Sequence, residues 1–192
     1  MYTATAGSTQ SGNSTDAALD GNADSFWEAT WDIGNTNPEL LWYQIELADE
    51  VEIDAVRYLP RWGGNAGNIN GFITEYRVEV SVDGTSWETV AEGTWVLSDG
   101  WKIAQFDKVV TAKYVKLVAL STWAADGEDS EMSIAEIRVK ATVAGDTIIN
   151  KADLNKAIEA AKALASMRAN ILRSITNLAK TLDFFTYWYY NS

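Results

Sequence analysis

Glycine and proline are confined to one part of this chain, and that decides what each part can become. All 13 glycines lie at or before Gly145, and both prolines, Pro38 and Pro60, come early. The last 47 of the 192 residues contain neither breaker. A breaker-free segment can run as continuous helix, whereas closely spaced glycines suit short strands joined by turns. Charge changes at the same place. Up to Gly145 there are 9 Lys and Arg against 23 Asp and Glu; after it there are 6 against 4. We therefore divide the chain into residues 1–142 and residues 143–192.

The first part reads as strands. Leu40–Leu47, Val51–Leu59, Glu75–Val82, Trp87–Ala91, Ile103–Phe106, Lys113–Leu120 and Ile134–Lys140 are rich in β-branched and aromatic residues. Tyr76, Val78 and Val80 fall on one face of their run, Arg77 and Glu79 on the other. Asp83-Gly84 between two such runs signals a hairpin. Seven or eight short strands with no intervening helix predict a mainly β sandwich. In the second part Leu154, Ile158, Ala161 and Ala165, then Ile171, Ile175, Leu178, Leu182 and Phe185, step by threes and fours, which predicts one long helix or a helical hairpin. The chain closes on an aromatic run, Phe184 to Tyr190, which should not stand free in water. Self-association through this helix is the expectation.

Absences narrow the chemistry. There is no Cys and no His, which removes disulfides, thiolate nucleophiles, Ser-His-Asp triads and imidazole metal sites. A metal would need oxygen ligands, as calcium and magnesium accept. The net charge of −12 repels phosphate backbones and anionic lipid, so neither nucleic acid nor membrane is an expected partner. No stretch approaches the ~20 apolar residues of a membrane span. The small, polar N-terminus has no leader pattern, so a signal peptide is absent or removed. Nine Trp and eight Tyr against five Phe favour surfaces that are half apolar and half wet, as sugars are.

Three segments carry candidate chemistry. Asp20, Asn22 and Asp24 have the opening spacing of an EF-hand loop, but Ser25 stands where that loop needs Gly and Trp31 where it needs Glu; a turn rich in Asp, Asn and Gly is the plain alternative. The Gly/Asn stretch from Arg61 to Gly71 lacks the Gly-Lys-Ser/Thr ending of a phosphate loop and is better read as a binding loop holding Arg61 and Trp62. The acidic segment from Trp123 to Met132 reads as a solvated loop. Glu136 differs, because it opens an otherwise apolar strand.

In register, these segments resemble a known family. Asp20-Gly21 with Trp27 and Trp31, Ile45 to Leu47, Tyr58 to Arg61, Asn70-Gly71 with Ile73 and Tyr76, Ser81 with Asp83-Gly84 and Trp87, Lys113 to Leu117, and Ala135 to Ile137 follow the order of discoidin-like (F5/8 type C) domains, specifically family 32 carbohydrate-binding modules. The likeness spans about residues 4–141. Lys151 to Leu164 is similar to the start of a FIVAR-type helical spacer. Residues 166–192 resemble nothing known, and an appended, non-native tail is the expectation for part of them.

The resemblance implies a jelly-roll β-sandwich with a helical extension, and a non-catalytic module of a secreted or cell-surface bacterial glycan-degrading enzyme. It implies a shallow loop site binding galactose, N-acetylgalactosamine or N-acetylglucosamine termini weakly. Arg61 and Asn70 would bond hydroxyls, Trp31 and Trp123 would stack, Glu28 would make a polar contact and Trp62 an outer one. Core packing is the plain alternative for each Trp, above all Trp27, Trp42, Trp87, Trp95 and Trp101. Glu28 stands where galactose-preferring members have His, an acceptor replacing a donor, so the hydroxyl pattern is read differently. A structural calcium is implied at Asp20, Asn22, Ser25 and Glu136, with carbonyls of Ala17 and Ala135. Two competitors are a two-carboxylate glycosidase, for which no acid pair stands out at strand ends, and an adhesion module with a protein partner.

Overall fold

A computed structural model describes residues 2–62, 69–124, 131–142, 159 and 161–174. It divides into two units, Met1–Ala144 and Gly145–Ser192. The first unit is built on one long antiparallel ribbon of β3 (Trp42–Leu59) and β6 (Lys102–Trp123). Sequence periodicity predicts each of these as two strands; the backbone instead runs through. Register slips between Glu46 and Val51, and again between Ile53 and Ala55. An extra residue in a strand bends it and exchanges its two faces. Accordingly the inward positions of β3 are Tyr43, Ile45, Leu47 and Ile53, then Val56 and Tyr58, while Ala48 to Glu50 lie exposed between them.

The bent ribbon makes both layers of a β-sandwich. Its first half joins β1 (Thr3–Ala6), β4 (Phe72–Ser81) and β5 (Glu88–Thr94) in the order β1-β3-β6-β4-β5. Its second half pairs with β8 (Glu136–Ala141). Residues from both halves meet in one apolar core around Trp27, Tyr43, Ile53, Tyr58, Phe72 and Leu117. The mainly β sandwich expected from the sequence is the fold found. The expected hairpin joins β4 to β5: Asp83 Oδ1 accepts the N–H groups of Thr85 and Ser86, both at 2.7 Å, and these bonds hold its carboxyl well below the usual range. Trp27 and Trp95 are core residues, while Trp42, Trp87 and Trp101 are half-buried.

Residues 161–174 of the second unit are helical. Leu164, Met167 and Ile171 are exposed and recur at helical spacing, so this stretch has an apolar face within its own unit. The aromatic run from Phe184 to Tyr190, the FIVAR-like residues before Glu159 and the acidic residues 125–130 lie outside the described residues.

Two short strands escape pattern reading because two residues carry no period: β2 (Trp27–Glu28) and β7 (Ser133–Ile134), paired antiparallel. Their pairing is anchored from below. The Tyr58 hydroxyl, wholly buried, donates to the Ser133 carbonyl at 3.1 Å and accepts the Ile73 N–H at 3.3 Å. Burial raises that phenol above its ordinary pKa, so it stays protonated as the donor. Gly71 adds a second anchor at φ +79: its N–H donates to the Trp123 carbonyl and its carbonyl accepts the Ser133 N–H. A Cβ there would sit 2.7 Å from the Ser133 nitrogen. Gly71→Ala therefore combines left-handed strain of about 1–2 kcal/mol with a backbone clash. It should lower the unfolding free energy by about 2 kcal/mol or more in a denaturant titration; a melt within error of the parent would contradict this anchoring.

Candidate functional site

β2 ends on a carboxylate. Glu28 is only 4% exposed, although it lies at the loop end of the sandwich. A buried carboxylate is costly unless charged or polar partners replace its water. Both oxygens have such partners: Arg61 Nη1 donates to Oε1 at 2.6 Å, and Trp31 Nε1 donates to Oε2 at 2.9 Å. The sequence suggests Glu28 as a direct polar contact. The structure gives it a holding role, since its oxygens fix a guanidinium on one side and an indole on the other.

Each partner is held from a second direction. Arg61 follows β3 immediately after buried Pro60, and its guanidinium carbon lies 3.9 Å from the centre of the Phe26 ring. It is thus clamped between an aromatic face and a carboxylate, with 19% of the side chain still open to solvent. The Trp31 N–H of the backbone donates to Gln10 Oε1, and Gln10 N–H donates to the Glu28 carbonyl. Trp31 remains 60% exposed. The indole is thus tethered by its nitrogen edge and open to solvent over most of its surface.

The other expected residues gather around the same end. Asn70 is the residue before Gly71, and its carbonyl accepts the Ser133 hydroxyl at 2.7 Å; Ser133 is in turn paired with Glu28 across β2 and β7. Trp62, next to Arg61, is 43% exposed. Trp123 ends β6 partly buried against the core. Phe26, Gln10, Tyr58 and Ser133 are supporting residues that sequence reasoning missed. Phe26 had a signal, as an aromatic beside Trp27 on the opposite face of an extended run; the others act through geometry that no local pattern encodes.

A second cluster lies where the loop before β2 meets β8. Ser25 Oγ is 2.7 Å from Asp20 Oδ2, 2.7 Å from the Asn22 carbonyl and 3.5 Å from the Ala17 carbonyl. Glu136 faces Asp20, and the Gly21 N–H bonds to it. Burial first, and the Asp20 charge after it, raise the Glu136 carboxyl above its usual pKa. Its Oε1 is buried without a hydrogen-bond partner. Asp20 is shifted the other way, its carboxylate favoured by the Ser25 hydroxyl and the Asn22 N–H. Ala135 sits beside Glu136 with its N–H on the Leu59 carbonyl. Among the described residues no three acidic side chains cluster. The set is two carboxylates, a hydroxyl and carbonyls, all hard oxygen donors with one orphaned carboxylate oxygen, the donor chemistry that a hard cation such as calcium takes.

Comparison with known proteins covers the sandwich. Residues 3–137 match the F5/8 type C domain. A family 32 carbohydrate-binding module of a Clostridium perfringens family 89 glycoside hydrolase, solved with GalNAc-β-1,3-galactose, is 32% identical, with 73% of this chain and 95% of that one covered and a TM-score of 0.58. The family 32 module of Clostridium perfringens NanJ, in complex with galactose, is 28% identical over 72% of this chain and 92% of that one, TM-score 0.56. Galactose oxidase of Gibberella zeae is 35% identical over 139 residues, 72% of this chain but 19% of that protein. The chain thus spans about a fifth of that curated relative.

The holding role of Glu28 has a direct test. In Glu28→Gln one oxygen becomes an NH2 group that must face either the Trp31 or the Arg61 donor. A donor left unpaired in a mostly buried site costs about 1–3 kcal/mol. The variant should melt lower and its Trp31 indole N–H signal should move in NMR; an unchanged melt together with an unmoved signal would contradict the holding role.

Proposed function

The chain belongs to the F5/8 type C domain family, and from that premise we propose that its sandwich is a non-catalytic carbohydrate-binding module whose loop site is Arg61, Asn70 and Trp31. The observation that carries this reading is the Glu28 carboxylate joining an oriented guanidinium to an oriented, exposed indole. A sugar ring needs that pair: its C–H face covers an aromatic, and its adjacent hydroxyls accept from a forked donor. Asn70 supplies an acceptor and two donors for a hydroxyl that both gives and receives. Trp62 and Trp123 flank the ring, and Glu28 positions rather than touches it.

The ligand class we propose is a galactose or N-acetylhexosamine terminus. Support comes from the two similar modules, solved with GalNAc-β-1,3-galactose and with galactose. A solvent-open site must desolvate many hydroxyls for few contacts, so affinity should be weak, on the order of 0.01–1 mM. Because the similar modules come from bacterial proteins, one of them a glycoside hydrolase, we place this module in a secreted or surface-attached glycan-degrading enzyme. Among the described residues no helix is long and apolar enough to cross a membrane.

Calorimetry with galactose and with GalNAc-β-1,3-galactose tests the site. Arg61→Ala removes a charged hydrogen bond worth about 1.5–3 kcal/mol and should weaken binding roughly ten- to hundredfold. A melt unaffected by this change, the natural expectation for a surface binding residue, is not what the Glu28 pair implies: Glu28 would lose a partner and stability would fall. Arg61→Lys keeps the charge beside Glu28 while losing the fork, so it should restore stability more than affinity. Parent-like binding by Arg61→Ala and Asn70→Ala together would overturn the site.

We further propose that Asp20, Ser25 and Glu136 side chains, with carbonyls of Ala17, Asn22 and Ala135, hold a structural calcium that ties the N-terminal loop to β8. Calcium at about 100 times its Kd would then add about 2.7 kcal/mol of stability. Chelation should lower the melting temperature of the parent and leave Glu136→Gln unaffected. Identical parent melts in EDTA and in excess calcium would refute the ion.

A further inference from the structure

The outer face of the β3–β8 layer carries charges that the loop site does not use. Arg57 in β3 lies directly across from Arg138 in β8. Like charges opposite one another on antiparallel strands are destabilising. Arg57 Nε is buried and has no hydrogen-bond partner. Among the described residues the acid paired with Arg138 is Glu136, at 3.9 Å, and that carboxylate also faces Asp20. Both guanidinium groups gather on one indole instead: their central carbons lie 4.9 Å and 4.8 Å from the centre of the Trp101 ring. Carboxylates are not scarce, since acids outnumber bases 23 to 9 up to Gly145. Elsewhere on the sheets most bases meet an acid: Lys140 with Asp54, Lys116 and Arg77 with Glu79, Lys113 with Glu46, while Lys102 donates to the Ser98 hydroxyl. Among the described residues, two arginines facing each other without a shared acid stand out in an acidic domain.

We propose that Arg57, Arg138 and Trp101 form a second binding site, for a single carboxylate or sulfate group carried on a sugar. A planar guanidinium fork matches either anion with two parallel hydrogen bonds, and an anion between the two forks removes their mutual repulsion. Trp101 is half-buried beside them, and Ile103, which pairs with Arg57 across β6, is 53% exposed. Together they give an apolar floor for the C–H face of the ring that bears the anion. The overall negative charge still opposes an extended polyanion, whose many charges feel the whole domain. One anionic group touching two guanidinium groups is governed by those contacts. The choice of a sugar as carrier rests on the glycan-binding reading; the anion site does not.

Heteronuclear NMR on the full chain separates the two. The signals to follow are the Arg57 Nε–H, identified by its loss in Arg57→Gln, and the Trp101 indole N–H, identified by its loss in Trp101→Phe. The probes are sodium sulfate, glucuronate and galactose 6-sulfate, with galactose and sodium chloride as controls at matched ionic strength. Both signals should move saturably with the three anionic probes and stay still with the controls. Galactose 6-sulfate should bind several-fold tighter than inorganic sulfate, and Arg138→Gln, at an exposed position, should raise each Kd at least fivefold. The same shifts should persist in Arg61→Ala, so failure of the loop site leaves this readout intact. Equal movement with chloride, or parent-like binding by Arg138→Gln, would overturn the anion site. Equal affinity for inorganic sulfate and galactose 6-sulfate would overturn the sugar carrier.

Discussion

The loop end of this sandwich is organised by one almost fully buried carboxylate. Burying Glu28 there would be costly without donors, and the two it has are the guanidinium of Arg61 and the indole N–H of Trp31. That requirement works in both directions. The carboxylate is tolerated because the donors are present, and the donors are aimed because the carboxylate is fixed. An exposed indole and a partly exposed arginine would otherwise sample many rotamers, and a ligand would have to meet the entropy of ordering them. Here the folded chain has ordered them in advance.

Glu28 itself is fixed by the fold beneath it. β2 is two residues long and would not persist alone; its partner β7 is held to β3 and β4 by the buried Tyr58 hydroxyl and to the Asn70-Gly71 turn by backbone bonds. Asn70 is thereby set at the same end as Arg61, from a different part of the chain. The long ribbon matters for the same reason. Bulges in β3 let one strand supply both layers, so its end delivers Pro60 and Arg61 to the rim of the core rather than to a loose connection.

Much of this was legible in the sequence, and the losses have physical causes. Alternation along Tyr76, Val78 and Val80 marked β4 and its inward face, and Asp83-Gly84 marked its turn. Alternation also split β3 and β6 into halves, because a bulge interrupts the period of two that reveals a strand. β2 and β7 were invisible, being too short for any period. The candidate residues Glu28, Trp31, Arg61 and Asn70 were visible as types in a familiar order, yet the link through Glu28 was not. Nothing in spacing says that positions 28, 31 and 61 share one carboxylate. The same limit hid Arg57 and Arg138, whose juxtaposition exists only in the pairing of β3 with β8.

The most direct measurement is a crystal structure of the chain with GalNAc-β-1,3-galactose. A pyranose ring should lie within about 4 Å of the Trp31 face, with hydroxyls about 3 Å from the Arg61 guanidinium and the Asn70 amide. Glu28 should still accept from both Arg61 and Trp31. A sugar bound away from Trp31, or a Glu28 carboxylate that releases both donors to take the hydroxyls itself, would contradict the account.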